Sequence, residues 1–147
     1  MIFAHGSRFG GHALFLKDRK LVYVYNFLGI RPEQRFVSSS DFTPGKHTFG
    51  VEFTREKGGE YGESIGTAKL YIDDKVVAEG PMKTQPAKFT LSGDGLCVGF
   101  DSGDAVSQEY ETPGRFTGGK IFGVGVTVEK AQYLDLEQEA KRMMMRQ

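Results

Sequence analysis

The run from Gly11 to Phe27 constrains the fold more than any other part of the chain. Gly11-His12-Ala13-Leu14-Phe15-Leu16 and Leu21-Val22-Tyr23-Val24-Tyr25-Asn26-Phe27 are apolar, β-branched and aromatic, and they flank the charged turn Lys17-Asp18-Arg19-Lys20. Two such runs across a short polar turn specify an antiparallel strand pair. Phe15, Tyr23, Tyr25 and Phe27 are placed to pack on the faces of those strands. The pattern recurs along most of the 147 residues, a length that suits one domain able to bury roughly 70% of its unfolded surface.

Short strands are predicted at Met1 to Ala4 and at Gln34 to Ser39. The clearest alternation is Lys46 to Thr54, in which His47, Phe49, Val51 and Phe53 share one face and Thr48, Glu52 and Thr54 the other. A period of two places the first set on a core. Glu56 to Gly66 reads as a polar, glycine-bearing loop. Beyond it Ala68, Leu70 and Ile72 alternate with Lys69, Tyr71 and Asp73, and Asp73-Asp74-Lys75 turns into Val76 to Glu79. Aspartates suit that turn because they tolerate left-handed backbone and bond its amides. Phe89 to Leu91 and Leu96 to Phe100 are two further short strands. A polar loop, Asp101 to Pro113, leads to a last strand in which Phe122, Val124, Val126 and Val128 face one way.

The tail changes period. Leu136, Ala140, Met143 and Met144 lie at helical spacing, Asp135 can cap the start, and Glu137 with Lys141 is a favourable pair four residues apart. The expectation is an all-β, antiparallel sandwich over residues 1–129 with a short amphipathic α-helix in 130–147. Twenty glycines and no tryptophan fit a protein rich in turns.

Nineteen Lys and Arg balance nineteen Asp and Glu. With no basic excess or stripe, nucleic acid is not an expected partner. No segment has the roughly 20 apolar residues of a membrane span. Met1 to Gly6 lacks the basic start and apolar core of a signal peptide, so the chain as it stands is expected to remain cytoplasmic, while a longer parent would carry its own signal. The single cysteine, Cys97, between Leu96 and Val98, suits a buried thiol and rules out an internal disulfide framework.

Few residues suggest chemistry. His47 reads as a core histidine with its hydrogen bonds satisfied. His5 and His12 flank Gly6-Ser7-Arg8-Phe9-Gly10-Gly11, which has no P-loop Lys-Ser/Thr and reads as a loop or bulge beside the first strand. Asp101 and Asp104 are the candidate ligands for a calcium ion, in competition with a solvated acidic turn, and the spacing lacks the EF-hand pattern. Asp101, Glu109 and Tyr110 are the candidate residues for holding a sugar. Gly-x-Ser-x-Gly is absent, and no carboxylate pair stands out for glycoside hydrolysis. No catalytic residue and no cofactor is expected.

An ordered series of segments resembles the C-terminal domain of bacterial arylsulfatases. It runs from Gly10 to Phe15 and Val22 to Gly29, through Pro44 to Thr48 and Val51 to Phe53. It continues with Gly66 to Asp73, Val77 to Gly80, Thr84 to Pro86 and Val98 to Gly103. Val106-Ser107, Tyr110 and Phe116-Thr117-Gly118 close it, so that it spans roughly residues 2 to 129. Leu70 to Ala78 and Phe116 to Gly118 are also similar to concanavalin A-like and laminin-G-like sandwiches. The resemblance implies a jelly-roll sandwich. It also implies an accessory domain packed on a catalytic sulfatase domain, in an enzyme that hydrolyses sulfate esters.

The family nucleophile, a formylglycine made from a Cys/Ser-x-Pro-x-Arg motif beside a calcium ion, has no counterpart here, since Cys97 is followed by Val98-Gly99-Phe100-Asp101. This chain alone is therefore expected to be non-catalytic. A stand-alone carbohydrate-binding module is the alternative, with carbohydrate as its partner. The apolar stripe of the tail makes a second copy of the chain a further candidate partner.

Overall fold

The structure, a computed structural model, describes residues 1–30, 32–60, 62–85, 96–101, 105–117 and 119–126. It contains the strands β1 (Phe3–Ser7), β2 (Gly10–Lys17), β3 (Lys20–Asn26), β4 (Gln34–Val37), β5 (Phe49–Gly58), β6 (Ser64–Ile72), β7 (Lys75–Thr84) and β8 (Cys97–Val98). They form two antiparallel sheets, β4-β3-β2-β1-β8 and β5-β6-β7. There is no helix among the described residues.

The two charged turns behave as the residues dictate. Lys17 pairs with Lys20, leaving Asp18 and Arg19 at φ 53° and 64°, and Ile72 pairs with Lys75, leaving Asp73 and Asp74 at φ 50° and 68°. Positive φ at both central residues is the type I′ geometry whose twist matches that of the flanking strands. The glycine-rich segment after His5 is a third hairpin, not a loop or bulge, because Ser7 pairs with Gly10 and Gly6 with Gly11. The glycines are required there. A Cβ on Gly6 would lie 2.2 Å from the Gly10 carbonyl oxygen, and one on Gly11 would lie 2.2 Å from that of His5.

The five-stranded sheet is covered on both faces. Leu14, Leu21, Tyr23 and Tyr25 share one apolar cluster with Ala68 and Leu70 of β6 and Val77 and Met82 of β7. On the other face Ala4, Ala13, Phe15, Val22 and Val24 meet Val106, with Tyr110 packed against them. Double coverage explains why β3 is a continuous apolar run and not a strict alternation. Leu14, Leu21 and Leu70 are almost wholly buried, and each such side chain contributes roughly 1.5–3 kcal/mol.

One edge of the two sheets is stitched together. The Gln34 side-chain amide donates to the Lys83 carbonyl and accepts from the Lys83 amide, both at 2.8 Å, as a strand backbone would. The Ser39 amide donates to the Val77 carbonyl at 2.8 Å. These bonds join β4 and its continuation to β7, so β5 lies on the side of β1 and β2.

Several expectations are corrected. Glu56 to Gly66 is mostly strand, since Arg55 pairs with Gly66, Lys57 with Ile65 and Gly58 with Ser64 across a bulge. Backbone pairing is indifferent to the charged side chains that suggested a loop. β7 runs on to Thr84, and Pro81 is tolerated because β7 is an edge strand among the described residues. The strand expected at Leu96 to Phe100 is reduced to Cys97 and Val98.

The last strand is not formed over residues 121–126, where no ladder pairing occurs. Gly123 and Gly125 lack side chains to pack, and glycine pays the largest backbone entropy on entering a strand. Phe89 to Leu91, Val128 and the helix in 130–147 lie outside the described residues.

Candidate functional site

At the edge opposite the stitch the two sheets leave a groove of about 570 Å³. Its floor is apolar. Ile2 just before β1, Leu14 of β2, Phe49 at the start of β5 and Phe116 of the loop after β8 line it. Phe49 and Val51 turn inward because they occupy alternate positions of β5. The Phe116 amide donates to the Gly99 carbonyl at 2.8 Å, which fixes its strand-like approach. Residues 121–125 form the outer wall.

The rim is cationic. Lys46 Nζ lies 5.4 Å and Lys120 Nζ 5.5 Å from the centre of the Phe122 ring, so two ammonium groups attend one aromatic side chain. His47 lies on the same rim. Its Nδ1 is 2.5 Å from Asp73 Oδ2 and its Nε2 is 2.5 Å from the Thr43 carbonyl oxygen. Both neighbours are acceptors, so the doubly protonated ring satisfies them best. The bond to Asp73, then the one to Thr43, raises the imidazole above its ordinary 6.5. The expected satisfied histidine is thus found, at the mouth of the core and not within it. With both ring nitrogens engaged by these acceptors, neither is free to serve as a base or a metal ligand.

Among the described residues that line the groove the polar side chains are Lys46, His47, Thr48 and Lys120, with no carboxylate, serine or cysteine. No serine or cysteine therefore stands beside a general base among these described residues.

The residues singled out in the sequence lie elsewhere. Asp101 is only 2% exposed, and its carboxylate accepts a short hydrogen bond from the Tyr110 hydroxyl. That hydroxyl also accepts from the Val106 amide at 3.1 Å, and the Tyr110 ring stands edge-on to Phe15. Burial, and then the Asp101 carboxylate, push the Tyr110 hydroxyl well above its ordinary value. Glu109 Oε1 meets Arg35 Nε at 2.6 Å, and its carbonyl accepts from Lys17 at 2.9 Å. The structure therefore brings Asp101 and Tyr110 together and uses them, with Glu109, to fasten the 105–117 loop over the five-stranded sheet. Asp104 lies outside the described residues. No group of three or more His, Cys, Asp or Glu with metal-binding geometry occurs among the described residues.

A second, shallower depression of about 380 Å³ lies on the outer face of the small sheet. Tyr71 stands across from Gly50, with Glu52, Thr48 and Asp74 around it, and the Tyr71 hydroxyl donates to Glu52 at 3.3 Å. The five-stranded sheet also holds a histidine pair. His5 and His12 face each other across β1 and β2 with ring centres 6.1 Å apart, and His12 Nδ1 is 2.9 Å from the Tyr23 hydroxyl. Burial, with His5 beside it, lowers His12 to about 4, so it is a neutral core group.

The groove was not legible in the sequence, because its walls come from five separated segments. Its one local signal was Lys46 next to His47 at the head of an apolar strand. Comparison with protein families, with curated proteins and with solved structures returned no match.

Proposed function

We propose that the chain is a non-catalytic accessory domain of an arylsulfatase-like protein, with its two sheets arranged as a concanavalin A-like jelly-roll sandwich. The observation that carries the reading is the open edge. Phe122 and Val126 are each 76% exposed beside a groove with an apolar floor, whose described lining has no carboxylate, serine or cysteine. Isolated apolar residues on a surface are ordinary, but a contiguous set beside a groove marks a place of contact. In the intact protein this edge packs on the catalytic domain and forms part of the wall of its substrate cleft. The ordered resemblance over residues 2 to 129 supplies the identity of that neighbour.

The reading is tested on the transcript that encodes the chain. A sulfatase domain upstream in the same frame, with its Cys/Ser-x-Pro-x-Arg motif, is expected. A frame that contains no such domain overturns it.

A second reading is favoured by the depression around Tyr71. An aromatic side chain paired with a glycine across the strands, with carboxylates nearby, is a platform on which a sugar ring can stack while its hydroxyls donate to Glu52 and Asp74. Glycan-array binding that is lost in Tyr71→Ala and kept in Lys46→Met would favour a carbohydrate-binding module. Self-association through the tail or the open edge is a third possibility for the partner, and light scattering decides it.

A further inference from the structure

The groove at the open edge combines three features that point to a particular class of ligand. Its volume, about 570 Å³, falls within the roughly 300–1,000 Å³ of small-molecule sites. Its floor is apolar and aromatic, with Phe49 and Phe116 inside and Phe122 at the lip. Its rim carries Lys46 and Lys120 on one ring, His47 beside them, and no carboxylate among the described lining residues. Asp73 neutralises His47 in part, which leaves the two ammonium groups as the net charge of the rim.

We propose that this groove binds a small organic anion with a flat aromatic body, its ring against Phe49, Phe116 and Phe122 and its anionic group between Lys46 and Lys120. Charge complementarity selects the head. A neutral or cationic ligand of the same shape gains nothing from the lysines, whereas an anion exchanges two cation–π contacts for two ion pairs at the exposed rim. The aromatic floor selects the body.

Glycine keeps the space open. A Cβ on Gly123 or Gly125 would meet nothing within 4 Å, so no neighbour requires glycine there. Both glycines line the groove, and a larger side chain at either position would enter open space at its wall. The inference stands without the accessory-domain reading, because a free-standing chain would bind the same anion.

The experiment is calorimetric titration of the full chain with 2-naphthoate, with naphthalene-2-methanol as the neutral comparator. Saturable single-site binding of naphthoate in the micromolar to millimolar range is expected. The alcohol should bind at least about tenfold more weakly, a difference of about 1.4 kcal/mol. Lys46→Met with Lys120→Met should weaken naphthoate by about tenfold or more and leave the alcohol unchanged. Gly123→Leu should weaken both ligands. These surface variants should keep the melting temperature of the parent, which separates loss of binding from loss of fold.

Equal affinity for anion and alcohol overturns the proposal, as does binding indifferent to all three substitutions or no saturation at several millimolar. A dimer in light scattering that naphthoate fails to dissociate, and that Gly123→Leu abolishes, would assign the groove to a second copy instead. An upstream sulfatase domain bears on the accessory-domain reading alone, so failures of the two can be told apart.

Discussion

His47 and Asp73 join two turns that are remote in sequence. The imidazole Nδ1 lies 2.5 Å from Asp73 Oδ2, while Asp73 Oδ1 accepts the Thr48 amide at 2.8 Å and the Asp73 amide donates to the Thr48 carbonyl at 2.8 Å. The entry to β5, and with it Lys46 on the rim of the groove, is thereby clamped to the β6–β7 turn. His47 is raised above 6.5 chiefly by the bond to Asp73, and Asp73 is lowered below 3.8 chiefly by the bond to His47.

The clamp therefore has a pH window. The histidine's contribution is fully present below 6.5 and is lost as pH rises through its raised folded value. The aspartate's contribution is present above 3.8 and is lost as pH falls through its lowered folded value. Asp73→Asn keeps a side chain that tolerates φ 50° and an acceptor for the Thr48 amide, while it removes the charge and puts an amide donor in place of the acceptor that faces His47. The melting temperatures of parent and variant should differ by a few degrees between pH 3.8 and 6.5 and converge in alkaline buffer. A difference that does not vary with pH would show that the charges play no part.

His12 has the opposite sign. Its folded value of about 4 lies below the 6.5 of the unfolded chain, so the unfolded state binds the proton more tightly. Stability is fully present above pH 6.5, declines as pH falls toward 4, and is level below that, with a total loss on the order of 3 kcal/mol. His12→Gln should flatten this decline. Urea midpoints measured at intervals from pH 7 to pH 4 check it, and an equal decline in the variant refutes it.

Tyr110→Phe keeps the edge-on packing with Phe15 and removes the hydroxyl that serves Asp101 and Val106. The loss should be about 1.5–3 kcal/mol, because the lost bond is to a buried carboxylate. Millimolar calcium should leave the melting temperature of the parent nearly unchanged, since Asp101 is committed to Tyr110. A rise of many degrees that disappears in Asp101→Ala would establish a calcium site in this loop.

Arg19 is strained where it stands, at φ 64° in a two-residue turn. Arg19→Gly should raise stability by about 1 kcal/mol, the usual penalty of left-handed backbone in a residue with a Cβ. Over a chain of this length that is about 2 to 4 °C in melting temperature. Leu70→Ala should lower stability by about 2–5 kcal/mol, because Leu70 is fully enclosed between the two sheets.

The parts of the fold written in local period were legible. The Lys17 to Lys20 and Asp73 to Lys75 turns, the alternation from Phe49 to Phe53 and that from Ala68 to Ile72 all appear in the register of the sheets. What failed is what period cannot carry. The β5–β6 hairpin extends through charged residues because its backbone pairs regardless of side chain, and residues 121–126 alternate well yet join no strand ladder among the described residues. The inward turn of Asp101 and Tyr110 depends on packing against Phe15, which is remote in sequence. Composition marks such residues as polar and reactive, and only packing shows that they are fasteners.

The most direct test of the accessory-domain account uses an antibody to this chain to capture the native polypeptide from its own cells. The expected antigen is far larger than 16.3 kDa, contains peptides of a sulfatase domain with a formylglycine, and hydrolyses a chromogenic aryl sulfate that the purified 147-residue chain leaves untouched. An antigen of 16.3 kDa with no sulfatase peptides would contradict the account, as would turnover by the purified chain that survives further purification.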